Sequence, residues 1–224
     1  MSRPDRKFPI AIDGMRFIIP LAVISVLLWS LGFMVWAGMF TFLTLFVIYF
    51  FRDPERAIPP GEKAILSPAD GTVVQVQTCV EERFLKRPAI KLSVFMSIFN
   101  VHVNRNPLTG RIIDSAYARG KFIRADLDQA SASNEQNALL VENAEGVRLL
   151  VVQIAGLIAR RIICWVKKGD RVEKGQRFGL ICFGSRLWTT VQLATAAATA
   201  GIGGVITGGE AVSPRCNKAF SRSR

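Results

Sequence analysis

One histidine, His102, serves the whole chain of 224 residues. A histidine-rich metal centre is therefore not expected, and no metal is assigned to this chain. The four cysteines (Cys79, Cys164, Cys182 and Cys216) stand far apart and form no C-x-x-C pair. They read as reduced thiols of a cytosol-facing protein, not as a zinc site or a disulfide frame. The net charge is +12, yet no zinc-finger, RRM or basic-helix pattern accompanies it. Nucleic acid is thus the weaker partner, and an acidic membrane surface the stronger. Sustained coiled-coil heptads are missing too, which speaks against a membrane-tethered adaptor. Charge itself is missing from Phe17 to Phe51, a run of 35 residues.

That run sets the first half of the architecture. It is too long for a secretory signal peptide, and it lacks a small-residue cleavage site. As one helix it would reach ~52 Å at ~1.5 Å per residue, against a hydrocarbon core of ~30 Å. As two helices, each would be at the short end for spanning. Trp29-Ser30-Leu31-Gly32 and Trp36-Ala37-Gly38 offer turn and interface residues midway. Arg3, Arg6, Lys7 and Arg16 precede the run, and Arg52, Arg56 and Lys63 follow it. Basic residues on both flanks favour a hairpin with both ends cytoplasmic. The expected organisation is a basic N-terminus (1–16), a membrane segment (17–51, hairpin or single long helix) and a proline-rich linker (52–61). A β domain (62–187) and an atypical tail (188–224) follow.

The β domain is read from alternation and turn residues. Ala64 to Gln77 is a turn followed by a strand, and Ala89 to Ile98 is a second strand. Asp128 to Gln136 reads as a surface loop. Ala138 to Glu142 and Val147 to Ala155 form a hairpin across Asn143-Ala144-Glu145-Gly146. Ile158 to Val166 is a further strand bearing Arg160 and Arg161, either an exposed edge or a phosphate contact. Lys167 to Gln176 contains two tight turns. Its Gly-Asp-Arg-Val-Glu-Lys-Gly-Gln resembles the turns of lipoyl- and biotinyl-type domains. That likeness implies a mainly β, barrel-sandwich-like fold, but no lysine sits in the modifiable hairpin those domains carry.

Three short stretches carry chemistry. Ser67-Pro-Ala-Asp-Gly71 sets Asp70 in a turn ahead of a strand. Ser93 to Pro107 carries His102 between Val101 and Val103, where a period of two would put the ring on the face opposite the valines. Phe183-Gly-Ser-Arg186 sets Ser185 behind Gly184 at the end of an apolar strand. Each alone has a bland reading, the glycine-serine pair as a turn and the histidine as a core residue. Together an Asp, a His and a Ser are the parts of a nucleophile-activating triad.

These stretches, in this order and behind a hydrophobic N-terminus, resemble the phosphatidylserine decarboxylases, in particular their short, membrane-anchored bacterial type. The resemblance covers about residues 9–187. It implies that Asp70, His102 and Ser185 drive self-cleavage between Gly184 and Ser185. Ser185 would attack the Gly184 carbonyl while His102 takes its proton and Asp70 orients the imidazole. The products would be a β chain (1–184) and an α chain (185–224) that begins with a pyruvoyl group made from Ser185. That covalent group is the implied cofactor, in place of pyridoxal phosphate. The implied substrate is an anionic phospholipid, with Arg160 and Arg161 as weak candidates for its phosphate. The implied location is the inner membrane, with the catalytic domain facing the cytoplasm and a higher oligomer left open. Long-type relatives carry a second histidine where this chain has Phe99, so no role carries over there.

After Leu187 the pattern changes. Leu-Trp-Thr-Thr-Val-Gln and an Ala/Thr/Gly-rich stretch stand where the family has a charged or polar residue and an aromatic-aliphatic strand. The tail reads as a weak strand former and a candidate for disorder. The alternatives are therefore an inactive or unprocessed family member, or a membrane-tethered barrel-sandwich adaptor without catalysis. A triad serine hydrolase is a further reading, although Ser185 is not in a G-x-S-x-G elbow.

Overall fold

A computed structural model describes residues 9–58, 65–120, 134–156, 161–182, 185–192, 200–201 and 204–205. Two compact units emerge, one formed by Arg6–Arg56 and the other by Met1–Asp5 with Ala57–Arg224. The first is helical and the second is built of antiparallel strands.

In the helical unit, a single 3-10 turn (Ile12–Gly14) leads into α1 (Met15–Ser30), and α2 (Met34–Phe50) follows. The uncharged run is thus two helices rather than one. Gly32 makes the break: its φ of +78° is the left-handed conformation that a side chain disfavours. Phe33 N–H donates to the Leu28 carbonyl at 3.0 Å and closes the turn. The Ser25 and Thr41 hydroxyls share a hydrogen bond of 2.7 Å, and Trp29 Nε1 donates to Thr41 Oγ1 at 3.2 Å. The polar groups therefore face the partner helix, while Val26, Val35 and Phe42 point outward, 68%, 84% and 72% exposed. Polar-inside, apolar-outside packing suits a lipid surround. Ile12–Ser30 is long and apolar enough to cross a membrane, whereas Met34–Phe50 is shorter. The two flanks return to one place, since Ala11 N–H donates to Phe51 O at 2.8 Å and Asp53 N–H to Pro9 O at 2.7 Å.

Among the described residues the β unit has ten principal strands. They are β1 (Thr72–Glu81), β2 (Arg87–Met96), β3 (Val103–Arg105), β4 (Gly110–Ala118) and β5 (Gln136–Glu142). Then come β6 (Arg148–Ala155), β7 (Ile162–Cys164), β8 (Arg171–Val172), β9 (Arg177–Ile181) and β10 (Ser185–Gln192). One sheet has seven strands in the order β1-β2-β10-β6-β5-β4-β8, and another has three in the order β3-β9-β7. Leu139, Val141, Leu149 and Val151 bury one face of the larger sheet with Phe178 and Ile181 of β9. Ala138, Leu140, Leu150 and Val152 bury the other with Trp188. Both faces of β5 and β6 are therefore covered, so these strands read as unbroken apolar runs.

The hairpin expected across Asn143 to Gly146 is present, with Gly146 at φ +76°. The two turns expected between Lys167 and Gln176 are also present, with Gly169 at +96° and Gly175 at +81°. Residues 128–133 of the expected surface loop and Arg160 lie outside the described residues; Asn134 and Gln136, at the loop's end, are buried, and of the strand expected to carry Arg161 the described part is Ile162–Cys164. Cys79, read as a reduced thiol, is disulfide-bonded. Cys164 and Cys182 are not disulfide-bonded.

The boundary expected at Leu187 is not a structural one. β10 runs on to Gln192, pairing with β2 on one side and β6 on the other. Two flanking strands hold the backbone of Thr189, Thr190 and Val191, whose branched side chains suit a pleated sheet. Trp188, Thr189 and Thr190 are all buried.

Candidate active site

The turn bearing Asp70 is fixed by the backbone on both sides. Leu66 N–H donates to Pro107 O at 3.0 Å, and Arg105 N–H donates to Pro68 O at 2.9 Å. Within the turn, Ser67 Oγ donates to Ala69 O at 2.8 Å. Pro68 and Ala69 are buried, while Asp70 is half-buried at the rim. Gly71 then passes so close to β2 that a Cβ there would overlap the Phe95 carbonyl. This close approach sets the first rung of β1, Thr72 opposite Phe95.

The next residue of β2, Met96, is the rung partner of Ser185. On its other side Ser185 pairs with Ala155, the last residue of β6. The backbone of Ser185 is thus clasped between two strands at the head of β10. Beyond Met96 the chain makes a turn governed by Asn100, whose Oδ1 accepts from Ser97 N–H and Ser97 Oγ, both at 2.8 Å. The turn delivers His102, which is 2% exposed. Its carbonyl accepts from Ile181 N–H at 3.3 Å, four residues before Ser185. The strand after Asp70 and the strand that begins at Ser185 thus meet neighbouring residues of β2, Phe95 and Met96, while His102 is tied to the strand that precedes Ser185. Gly184 and Arg160 lie outside the described residues. Arg161 is exposed, and its carbonyl accepts from Cys182 N–H at 3.2 Å, close in sequence to Ser185.

The histidine does not alternate with its valines as a half-buried strand would. Val101, His102 and Val103 are all buried. The ring Nδ1 lies 3.0 Å from the Asn100 carbonyl. A carbonyl only accepts, so the proton of that bond sits on Nδ1 and leaves Nε2 as the basic nitrogen.

Behind the site runs a line of buried amides that the sequence reading passed over. Asn137 Nδ2 donates to Gln153 Oε1 at 2.9 Å, and Gln153 Nε2 donates to Asn104 Oδ1 at 2.8 Å. Asn104 Nδ2 reaches Met96 Sδ at 3.8 Å, beside the rung that holds Ser185. Cys164 joins the far end through Asn137, and burial pushes its thiol pKa up. A signal for part of this line stood in the sequence: Asn100, His102, Asn104 and Asn106 alternate with Val101, Val103 and Arg105. Period-two polar residues in a stretch flanked by apolar strands mark an inward polar face.

Residues 43–213 match the family model for phosphatidylserine decarboxylase, a match that continues past Leu187. A phosphatidylserine decarboxylase proenzyme of Geotalea uraniireducens is 48% identical over 82% of this chain and 85% of its own length. That of Syntrophotalea carbinolica is 50% identical over 82% of this chain and 86% of its own. The Geobacter metallireducens proenzyme is 48% identical over 80% and 84%.

Proposed function

Because the chain belongs to the phosphatidylserine decarboxylase family, we propose that it decarboxylates phosphatidylserine to phosphatidylethanolamine after cutting itself between Gly184 and Ser185. The observation that carries this reading is the backbone of Ser185 held between Met96 and Ala155, one residue along β2 from the first rung after the Asp70 turn, with buried His102 bonded to Ile181 four residues before it.

In maturation the Ser185 hydroxyl attacks the Gly184 carbonyl, and His102 Nε2 takes its proton. Asp70 orients the imidazole and balances the charge of the imidazolium that forms, and the Asn100 carbonyl, 3.0 Å from Nδ1, adds a second hold on the ring. The peptide C–N bond breaks as the Gly184–Ser185 ester forms. Loss of the Ser185 α-proton and of the Gly184 carboxylate leaves dehydroalanine, and water then releases ammonia to give the pyruvoyl group.

The residues present fit that group. Position 185 is the serine it is made from, and rungs to Met96 and Ala155 keep the new chain's first residue at the head of β10. When formed, the pyruvoyl ketone supplies the electron sink that loss of CO2 requires. His102 is the acid that returns a proton to the substrate carbon. Arg161, exposed beside the Cys182 segment, is the phosphate contact supported by position, with Arg160 its sequence neighbour. The β chain (1–184) and α chain (185–224) remain joined through β10, which has strands of the β chain on both sides. The glycine turns at Gly169 and Gly175, with a core shared by two antiparallel sheets, support reading the β unit as a barrel-sandwich.

The helical hairpin is the anchor. Its flanks lie together and are basic on both sides, which supports insertion in the inner membrane with the catalytic unit in the cytoplasm. A second reading, a proenzyme that never matures, drew on the tail, but β10 forms through Gln192. The test is intact mass of the purified protein. Maturation gives two species, the smaller under a fifth of the 24.7 kDa chain and closed to Edman degradation. Ser185→Ala should leave one uncut chain. Cleavage in Ser185→Ala would refute the role given to the serine, and an uncut wild type would refute the function.

A further inference from the structure

The end of the large sheet that holds the site also carries exposed apolar side chains. Phe99, at the tip of the turn that leads from Met96 to His102, is 61% exposed. Val73 and Val74, at the start of β1, are 44% and 46% exposed. Strict alternation would turn one of two successive valines inward. Here the register with β2 shifts between Val73 and Gln75, and this bulge leaves both outward. The bulge lies opposite Ser93 and Val94, two residues along β2 from the Met96 rung that holds Ser185. The Phe99 turn is not loosely hung, since Asn100 Oδ1 accepts twice from Ser97 and Asn100 N–H donates to Ser97 O at 3.0 Å. Arg161 is exposed next to the Cys182 segment at the same end.

We propose that this end of the β unit seats on the bilayer, with Phe99, Val73 and Val74 entering the interface of an anionic lipid surface. The proposal rests on the decarboxylase reading for its purpose, because it brings the site down to head groups that stay in the membrane. Apolar side chains with an exposed arginine at the same end suit such a surface, and the chain carries a net +12. A phenyl ring suits the boundary between head groups and acyl chains. The hairpin anchor ties the protein to the membrane, whereas Phe99 and the valines orient the site towards it.

Two readouts test the proposal on the full chain in phosphatidylglycerol-containing bilayers. The first needs no activity. Phe99→Trp adds emission over wild type, and lipids brominated near the head group should quench about half of that added signal, as expected for a ring entering ~5–10 Å. No quenching would overturn the proposal whatever the enzyme does, and would leave the face to a second copy or another partner. The second compares substrates. Phe99→Ser should lower kcat/KM about tenfold on long-chain phosphatidylserine in bilayers, the scale of withdrawing one large apolar side chain from an apolar surround. On short-chain phosphatidylserine below its micelle concentration, and in self-cleavage, Phe99→Ser should stay within about twofold of wild type, because the ring leaves the reacting atoms alone. Phe99→Trp should keep bilayer activity. Equal losses on both substrates would refute docking in favour of a role within the site. A wild type that is quenched in the Phe99→Trp form yet turns over neither substrate would refute the decarboxylase reading and leave docking standing.

Discussion

Gln153 is the residue whose removal the fold should feel most through hydrogen bonding. It is fully buried on β6, accepts from Asn137 on β5 and donates to Asn104 on β3. It thereby ties the seven-stranded sheet to the three-stranded one. It also stands on the rung of Leu187, two residues into β10 from Ser185. Gln153→Leu keeps most of the volume and removes both bonds. Each bond is worth ~1 kcal/mol net, and each buried partner left without it costs ~1–3 kcal/mol more. Asn137 retains its contact with Cys164, which lowers the sum. The expected loss is about 2–4 kcal/mol, or roughly 5–15 °C in Tm for a domain of this size. The assay is urea unfolding in detergent, in a Ser185→Ala background that keeps the chain in one piece. Adding Asn104→Leu should cost less than its own single effect, with a coupling of ~1–3 kcal/mol, because the orphaned carbonyl goes with it. A Gln153→Leu protein within about 0.5 kcal/mol of its parent would refute the argument, as would strict additivity of the pair.

Gly71→Ala should destabilise by ~1–3 kcal/mol, since its Cβ has no room beside the Phe95 carbonyl and β1 must move. Because that shift displaces Asp70, a time course of self-cleavage should slow under conditions where the variant is still folded; cleavage at the parental rate would separate Asp70 from the first rung of β1. Thr189→Val with Thr190→Val should stabilise by about 1 kcal/mol each, because both hydroxyls are buried with no hydrogen-bond partner. Urea midpoints in the uncut background check this, and a fall in stability would mean the hydroxyls are satisfied.

What the sequence made legible was whatever depends on local pattern. The charge-free run, the Asn143 to Gly146 hairpin and the glycine turns near Gly169 and Gly175 each follow from a few adjacent residues, and each is present. The candidate site residues were singled out because three motifs stood together, not because any one was decisive. Asn100 was passed over because its carbonyl, a feature of every residue, is what meets His102. Gln153 was passed over because a lone glutamine in an apolar strand shows its meaning only when Asn137 and Asn104 arrive from two other strands.

The stretch after Leu187 shows most clearly where local pattern fails. Thr, Ala and Gly are weak evidence for a strand by themselves, yet strand formation here is decided by β2 and β6, which supply a complete set of rungs from Ser185 to Val191. Once the backbone is held on both edges, the side chains need only fit. Leu187 and Trp188 fit, each fully buried on opposite faces of the sheet, and Lys91 of β2 lies 4.5 Å over the Trp188 ring. Trp188 Nε1 and the hydroxyls of Thr189 and Thr190 fit in shape but not in chemistry, since each is buried without a hydrogen-bond partner. The oddity seen in the sequence is therefore real, but it is a cost in polar burial and not a missing strand. The strand that begins with Ser185 can form with this sequence, and that is the condition the chemistry proposed at position 185 depends on.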